Sequence, residues 1–320
     1  MLRSLLIYLS QVEWMRRLVM GWKIARKVAY RFVAGETLDS AIAVVRELNS
    51  ASMLATLDQL GEHTQTIDQA KKTTKDVLHI LEEIDRSGIR AGLSVKLTQI
   101  GLLLDEQLCE ENLVEILEGA SKKNLFVRID MEDSHCIEAT FRIYWKMRLD
   151  HQFENVGMVI QSYLYRSDQD TAELLAKDTK IRMVKGAYKE PEEIAYPKKQ
   201  DVDDAFDRLV RMMLDHAVAE SSPAVSEDGR WPSVTAVATH DKARIDAAIA
   251  YAERNGIPKR KLEFQMLYGI RRDLQQELAA EGYPVRVYVA FGTEWYPFFM
   301  RRLAERPANL WFFVSSLFRK

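Results

Sequence analysis

Two adjacent guanidinium groups, Arg301 and Arg302, stand in Trp295-Tyr296-Pro297-Phe298-Phe299-Met300-Arg301-Arg302-Leu303-Ala304-Glu305, a segment otherwise strongly apolar. Neighbours on a helix diverge by about 100°, so both can flank one point, and the planar arginine fork matches a carboxylate better than an ammonium does. The pair implies a bound anion; the competing reading pairs one arginine with Glu305 and lets the other reach water. More polar residues sit at the ends of short apolar runs: Lys96, Asp130 with Glu132, Gln161, Arg182 with Lys185, Thr239-His240, Gln265 and Tyr288. Lys96, Arg182, Lys185, Arg301 and Arg302 can together form a cationic pocket for a small carboxylate and a phosphate-bearing cofactor, with Tyr188, Tyr288 and Phe298 as flat walls. Asp130, Glu132 and His240 share no ligand spacing, so no catalytic metal is expected. Neither a G-x-S-x-G elbow nor a G-x-G-x-x-G fingerprint occurs.

Such residues need a scaffold that brings distant strand ends together. After two helical segments, about 2–33 and 36–49, the chain alternates apolar runs with stretches of 3.6-residue period. The runs are Met53–Leu57, Gly92–Leu97, Leu125–Ile129, Val156–Ser162, Ile181–Val184, Val234–Ala238, Glu263–Met266 and Val285–Val289, each followed by a helical pattern, the last being Pro297–Ala304. Eight consecutive βα units predict an α/β fold, a (βα)8 TIM barrel covering 51–320 behind an N-terminal helical arm, 1–50. In such barrels chemistry sits at the carboxyl ends of the strands, where the polar residues fall. Ser221–Pro232 reads as a loop.

A net charge of -2 and the absence of a Lys/Arg-rich block argue against nucleic acid. The two cysteines, Cys109 and Cys136, lack metal or disulfide spacing and fit a reducing, cytoplasmic setting. No run of about 20 uncharged apolar residues spans a membrane. Val12 to Val33, however, mixes apolar residues with Arg16, Arg17, Lys23, Arg26, Lys27 and Arg31, a basic amphipathic pattern that suits either a membrane surface or packing on the domain or a partner subunit. The aromatic end Leu310–Lys320 suits either a membrane surface or a helix packed over the barrel mouth.

Seven ordered blocks resemble the proline dehydrogenase family: S-V-K-L-T (Ser94 to Thr98), R-I-D-M-E (Arg128 to Glu132), G-M-V-I-Q-S-Y (Gly157 to Tyr163), R-M-V-K-G-A-Y (Arg182 to Tyr188), A-T-H-D (Ala238 to Asp241), F-Q-M-L-Y-G (Phe264 to Gly269), and R-V-Y-V-A-F-G followed by R-R-L-A-E (Arg286 to Glu305). The length resembles that of the monofunctional bacterial form. The resemblance implies a distorted (βα)8 barrel that binds FAD, oxidises L-proline to Δ1-pyrroline-5-carboxylate, hands electrons to a membrane quinone and feeds a pyrroline-5-carboxylate dehydrogenase. It further implies that Arg301, Arg302 and Lys96 hold the proline carboxylate, Tyr288 covers the ring, and Asp130 and Arg182 serve catalysis. Met131, Gln161, Arg182, Lys185, Gly186, Ala187, Thr239 and His240 would contact FAD. Glu305 would brace the arginine pair, and Glu62 would act as a gate.

Two positions depart from the family pattern. Ala290 stands where proline is expected, which removes a fixed φ from the turn after the last strand. Phe298 stands where tyrosine is common, so a hydroxyl beside the substrate is missing. A different chemistry on the same scaffold is a class I aldolase or lyase, with Lys96 or Lys185 forming a Schiff base.

Overall fold

Short aliphatic runs separated by long amphipathic ones cannot bury both faces in an open hairpin sheet; they close on themselves. The computed structural model describes residues 12–61 and 64–305. It begins with α1 (Glu13–Met20), α2 (Lys23–Ala29) and α3 (Leu38–Ser50), and then alternates β1 (Leu54–Gln59), α4 (Ile67–Ser87), β2 (Ala91–Val95), α5 (Glu106–Ser121), β3 (Val127–Ile129), α6 (Ser134–Trp145), β4 (Val156–Gln161), α7 (Ser167–Leu175), β5 (Ile181–Val184), α8 (Lys199–Ala217), β6 (Thr235–Ala238), α9 (Lys242–Arg254), β7 (Leu262–Leu267), α10 (Arg272–Ala280), β8 (Val285–Phe291) and α11 (Trp295–Glu305). All eight strands pair in parallel and in sequence order, and β8 closes the barrel on β1 with Thr56 opposite Tyr288. The expected strands are all present.

Alternate residues of a strand face opposite ways. One set, including Leu93 and Val95, Val127 and Ile129, Ile181 and Met183, and Val287 and Val289, is buried with the surrounding helices in the main core. Each such side chain contributes roughly 1.5–3 kcal/mol by leaving water. The other set faces the barrel axis. TIM-barrel interiors are usually filled by bulky branched residues; here the axial positions hold Thr56, Asp58, Ser94, Arg128, Arg182, Glu263, Gln265, Arg286 and Tyr288 instead. The amino end is stoppered by the irregular segment expected around Ser221–Pro232. Trp231 packs on Phe126 with ring centroids 5.8 Å apart and donates from Nε1 to the Asn124 carbonyl at 3.1 Å.

Helices that return from the carboxyl end start on side-chain caps. Thr66, Asp105, Asp133 and Asp241 each accept a backbone N–H in the first turn that follows, satisfying donors the helix cannot. At the other end, α6 runs into a single π turn, Lys146–Asp150.

The N-terminal segment differs from the expected single helix. Gly21 and the extended Trp22 (φ -94°, ψ 112°) break it into α1 and α2, as glycine's poor helix propensity favours. Their apolar face is committed internally: Val19, Ala25, Val28, Ala29 and Phe32 form a second core cluster with Trp295, Phe299, Met300 and Leu303 of α11. An Arg16–Glu294 ion pair and a Trp295 Nε1 donation to Glu36 at 3.3 Å fasten the same contact. By contrast α3 joins the main core through Ala41, Ile42, Val45 and Leu48. Residues 1–11 and the aromatic tail 306–320 lie outside the described residues.

Gly269 makes the arm's approach possible. It sits at φ +77°, and a Cβ there would lie 1.6 Å from the Arg31 carbonyl oxygen. Gly269→Ala should therefore destabilise the fold by about 1–3 kcal/mol, combining left-handed strain with displacement of the arm. Thermal or urea unfolding of the purified variant measures this.

Candidate active site

The carboxyl ends of the strands surround a cavity of about 390 Å³, roofed by α11. Each strand end delivers the side chain that its parity dictates: Asp58 from β1, Lys96 after β2, Asp130 and Met131 after β3, Val159 and Gln161 from β4, Arg182 and Val184 from β5, Ala238 and then Thr239 and His240 after β6, Gln265 and Leu267 from β7, and Tyr288 from β8. Phe298, Arg301 and Arg302 descend from the helix above, and Lys185, Gly186, Ala187 and Tyr188 line the wall from the loop after β5.

Asp130 is the junction of the polar groups. It accepts from Tyr288 Oη at 2.6 Å, from Lys96 Nζ at 3.2 Å and from Arg182 Nη1 at 2.8 Å. Lys96 also donates to Asp58 at 2.7 Å and to Tyr288 Oη at 3.2 Å. Arg182 is fixed at two further points, Nε to Gln265 Oε1 at 2.5 Å and Nη2 to Ser94 Oγ at 3.2 Å. Burial opposes the charge on Asp130, but Lys96 and Arg182 outweigh it and hold the carboxyl below its usual range. Burial likewise opposes the charge on Lys96, and Asp58, Tyr288 and Asp130 together hold it well above the usual lysine value. Tyr288, pushed well above its ordinary value by burial and then by Asp130 and Asp58, stays a neutral hydrogen-bond donor.

Outside this cluster Lys185 lies between Asp203 at 2.5 Å and Asp241 at 2.8 Å. Its charge is thus spent within the chain, a constraint the sequence pattern did not reveal. His240 Nε2 accepts the Leu267 N–H at 3.0 Å, which leaves the proton of the neutral ring on Nδ1. The loop after β5 can lie close to the barrel because Gly186 (φ +118°) has no Cβ; one would stand 2.4 Å from the Tyr163 ring. Arg301 forms no ion pair among the described residues, whereas the Arg302 guanidinium stacks over the Phe298 ring at 5.0 Å.

The donor set suits a flavin. Gln161 gives its amide N–H to the Glu132 carbonyl at 2.9 Å, so the oxygen is the end left to accept from a ligand. Arg182 opposite offers donors, and Met131, Val159, Val184, Met266 and Leu267 supply an apolar wall between them. A flat heteroaromatic ring whose edge alternates donors and acceptors needs that combination.

Thirteen residues expected at a site, Lys96, Asp130, Met131, Gln161, Arg182, Lys185, Gly186, Ala187, Thr239, His240, Tyr288, Arg301 and Arg302, line this one cavity. Glu62 lies outside the described residues, as does the side chain of Glu305. Asp58 was missed: the first run was expected to end at Leu57, one residue short, although the strand-end rule extended to β1 would have found it. At Ala290 the expected loosened turn is not seen. β8 continues to Phe291, with Ala290 opposite Asp58 in the ladder, and its carbonyl accepts from Ala34 N at 2.8 Å.

Lys96 and Lys185, each held by two carboxylates, are poor Schiff-base nucleophiles, since that chemistry needs a neutral amine. Residues 41–314 match the family model described as proline dehydrogenase. The chain is 39% identical over 320 residues to proline dehydrogenase 1 of Bacillus subtilis (strain 168), covering 100% of both chains. Against the proline dehydrogenase of Deinococcus radiodurans the identity is 40% over 312 residues, 97% of this chain and 94% of that one. Among solved structures, proline utilization A from Bdellovibrio bacteriovorus, inactivated by N-propargylglycine, superposes with a TM-score of 0.77 at 24% identity. That match covers 88% of this chain and 33% of the other, and it concerns the barrel fold.

The Asp130 junction has a pH signature. Because its folded-state pKa lies below the unfolded value of about 3.9, its stabilisation is fully present above that value and is lost as pH falls through the folded pKa. Asp130→Asn should cost about 3 kcal/mol at pH 7 by leaving buried cations underpaired. The difference from the parent chain should shrink below pH 4, which urea unfolding at pH 7 and pH 3 compares.

Proposed function

We propose that this chain, which belongs to the proline dehydrogenase family, oxidises L-proline to Δ1-pyrroline-5-carboxylate with FAD and passes the electrons to a quinone. The carrying observation is the distribution of charge in the cavity. Lys96, Arg182 and Lys185 are each matched by carboxylates, and the cation with no ion partner among the described residues is Arg301, beside Arg302 on α11. A pocket with its surplus positive charge on the roof suits a small carboxylate held from above.

Bound FAD supplies the two-electron acceptor. The chain's residues supply position and field. Arg301 and Arg302 take the proline carboxylate, and Tyr288, with Lys96 and Arg182 near its ring at 6.0 and 5.2 Å, presents a flat surface for the pyrrolidine. Holding the reacting carbon in one orientation accounts for most of the acceleration such a site can give. Arg182, immobilised by Asp130, Gln265 and Ser94, provides positive charge where negative charge grows, with no reorganisation needed. The cations also favour loss of the substrate's ammonium proton, so the ring nitrogen is neutral when C5 gives up hydride. Apolar walls exclude water. The cyclic imine formed adds water and opens to glutamate semialdehyde, the substrate of a pyrroline-5-carboxylate dehydrogenase.

A cytoplasmic protein lying on the inner face of the membrane suits this chemistry. Trp14 and Trp22 are exposed on the arm that also exposes Arg26 and Lys27, although the apolar face of the arm is used against α11. Among the described residues no helix is long and apolar enough to cross a membrane. If the arm docks on anionic lipid, replacing both tryptophans by serine should lower co-flotation with phosphatidylglycerol vesicles; unchanged flotation rejects the contact.

The purified protein should be yellow and should bleach when L-proline is added without an acceptor. Arg301→Met should raise KM for proline by about 10–100-fold, the loss of one charge-assisted contact, while FAD content stays at the parent level. A colourless protein that takes up no FAD would overturn the reading.

A further inference from the structure

Beneath Arg182 runs a hydrogen-bonded chain that starts at a residue outside the cavity lining. Glu263 and Gln265 are two apart on β7 and face the barrel axis; Gln265 stands opposite Arg286 in the β7–β8 register. Glu263 is 0% exposed and grips Arg286 through both oxygens, Nε to Oε1 at 2.9 Å and Nη2 to Oε2 at 3.0 Å. The Glu263 Oε1 also accepts the amide N–H of Gln265, and Gln265 Oε1 in turn accepts Arg182 Nε.

We infer that Glu263 is a positioning residue for Arg182, acting by fixing the polarity of the Gln265 amide. An amide has a donating and an accepting end, whereas an ionised carboxylate only accepts. Glu263 therefore compels Gln265 to turn its NH2 downward and its oxygen toward Arg182. With a neutral amide at 263 the constraint from below is lost, and only the Arg182 N–H itself still selects the oxygen. Gln265 can then flip and set N–H against N–H, and the guanidinium keeps only Asp130 and Ser94, which both hold its terminal nitrogens. Rotation about its own axis then swings the charge away from the place it serves. The Arg286–Glu263 pair is in this view the anchor of a chain that ends in the active site. Its kinetic consequences rest on the proline-oxidation reading; its geometry does not.

Three variants test it: Glu263→Gln, Gln265→Met, and the double exchange Glu263→Gln with Gln265→Glu. The double exchange restores the polarity, since an amide at 263 can accept from Arg286 and donate upward to a carboxylate that accepts from Arg182. With L-proline and an artificial electron acceptor, each single variant should lose about tenfold in kcat with KM within about threefold, because the carboxylate clamp is untouched. The double variant should recover to within about threefold of the parent. Crystal structures give the readout independent of activity: Arg182 Nε should lie beyond hydrogen-bond reach of residue 265 in the single variants and return to it in the double one. Parent-like kcat in Gln265→Met, an unmoved Arg182 in both single variants, or a Glu263→Gln loss that the exchange does not repair would overturn the inference. Should Glu263→Gln fail to fold, Gln265→Met decides, since it leaves the Glu263–Arg286 pair intact. Should the parent chain not oxidise proline, that defeats the functional reading, and the position of Arg182 in the crystals still decides this one.

Discussion

One carboxylate holds the top of the barrel together. Asp130 follows β3, yet it receives hydrogen bonds from Lys96 after β2, Arg182 on β5 and Tyr288 on β8. Those groups come from well-separated parts of the chain and all aim at the same two oxygen atoms, while Lys96 is also held by Asp58 and Tyr288, and Arg182 by Gln265 and Ser94. Two cations against one carboxylate would leave charge unbalanced; Asp58 closes the account from β1. Ionisable groups this buried are costly unless paired and hydrogen-bonded, and here the network joins residues on or just after β1, β2, β3, β5 and β8.

The polar barrel axis follows from that requirement. A barrel filled with branched aliphatics would be simpler to stabilise, since a buried ion pair often contributes less than a packed apolar substitute. Ionic residues on the axis instead define one arrangement and set charge state. Asp130 stays ionised, Lys96 stays protonated and Tyr288 keeps its hydroxyl proton across neutral pH. Below them Arg286 and Glu263 form a second paired layer, so charges near the cavity rest on charges rather than on a deformable apolar plug. The aliphatic contribution to stability comes from the opposite face of each strand, against the helices.

The roof is built differently. α11 rests on α1 and α2 through an aromatic and aliphatic cluster, with Trp295 and Phe299 wholly buried, and its arginines face the cavity. Polar strand ends and an apolar-backed helix thus enclose one space from two sides: the strand-end cations are paired with carboxylates, and Arg301 on the helix has no ion partner among the described residues. That asymmetry is what an anionic substrate under a fixed roof requires, in keeping with membership of the proline dehydrogenase family.

The strand count, the strand order implied by eight βα units and the parity of most site residues were legible in the sequence. Each depends on local periodicity, and a βα repeat has few ways to close. Arg301 and Arg302 were legible for a related reason, because charge in an apolar helix needs a partner or a ligand. Asp58 was lost to a boundary one residue short, and the break at Gly21 to a periodicity that continues across it. Pairing was not legible at all. That Lys185 is spent on Asp203 and Asp241, that Asp130 is the junction, and that a hydrogen-bonded chain runs from Glu263 through Gln265 to Arg182 depend on side chains as far as 158 positions apart meeting within hydrogen-bond reach. The sequence by itself determined which chemical groups are present and on which face of which element they lie, because those follow from period and backbone geometry. Only the tertiary structure decided which charges cancel and which remain for a ligand, because Coulomb and hydrogen-bond energies depend on distances that no local pattern encodes.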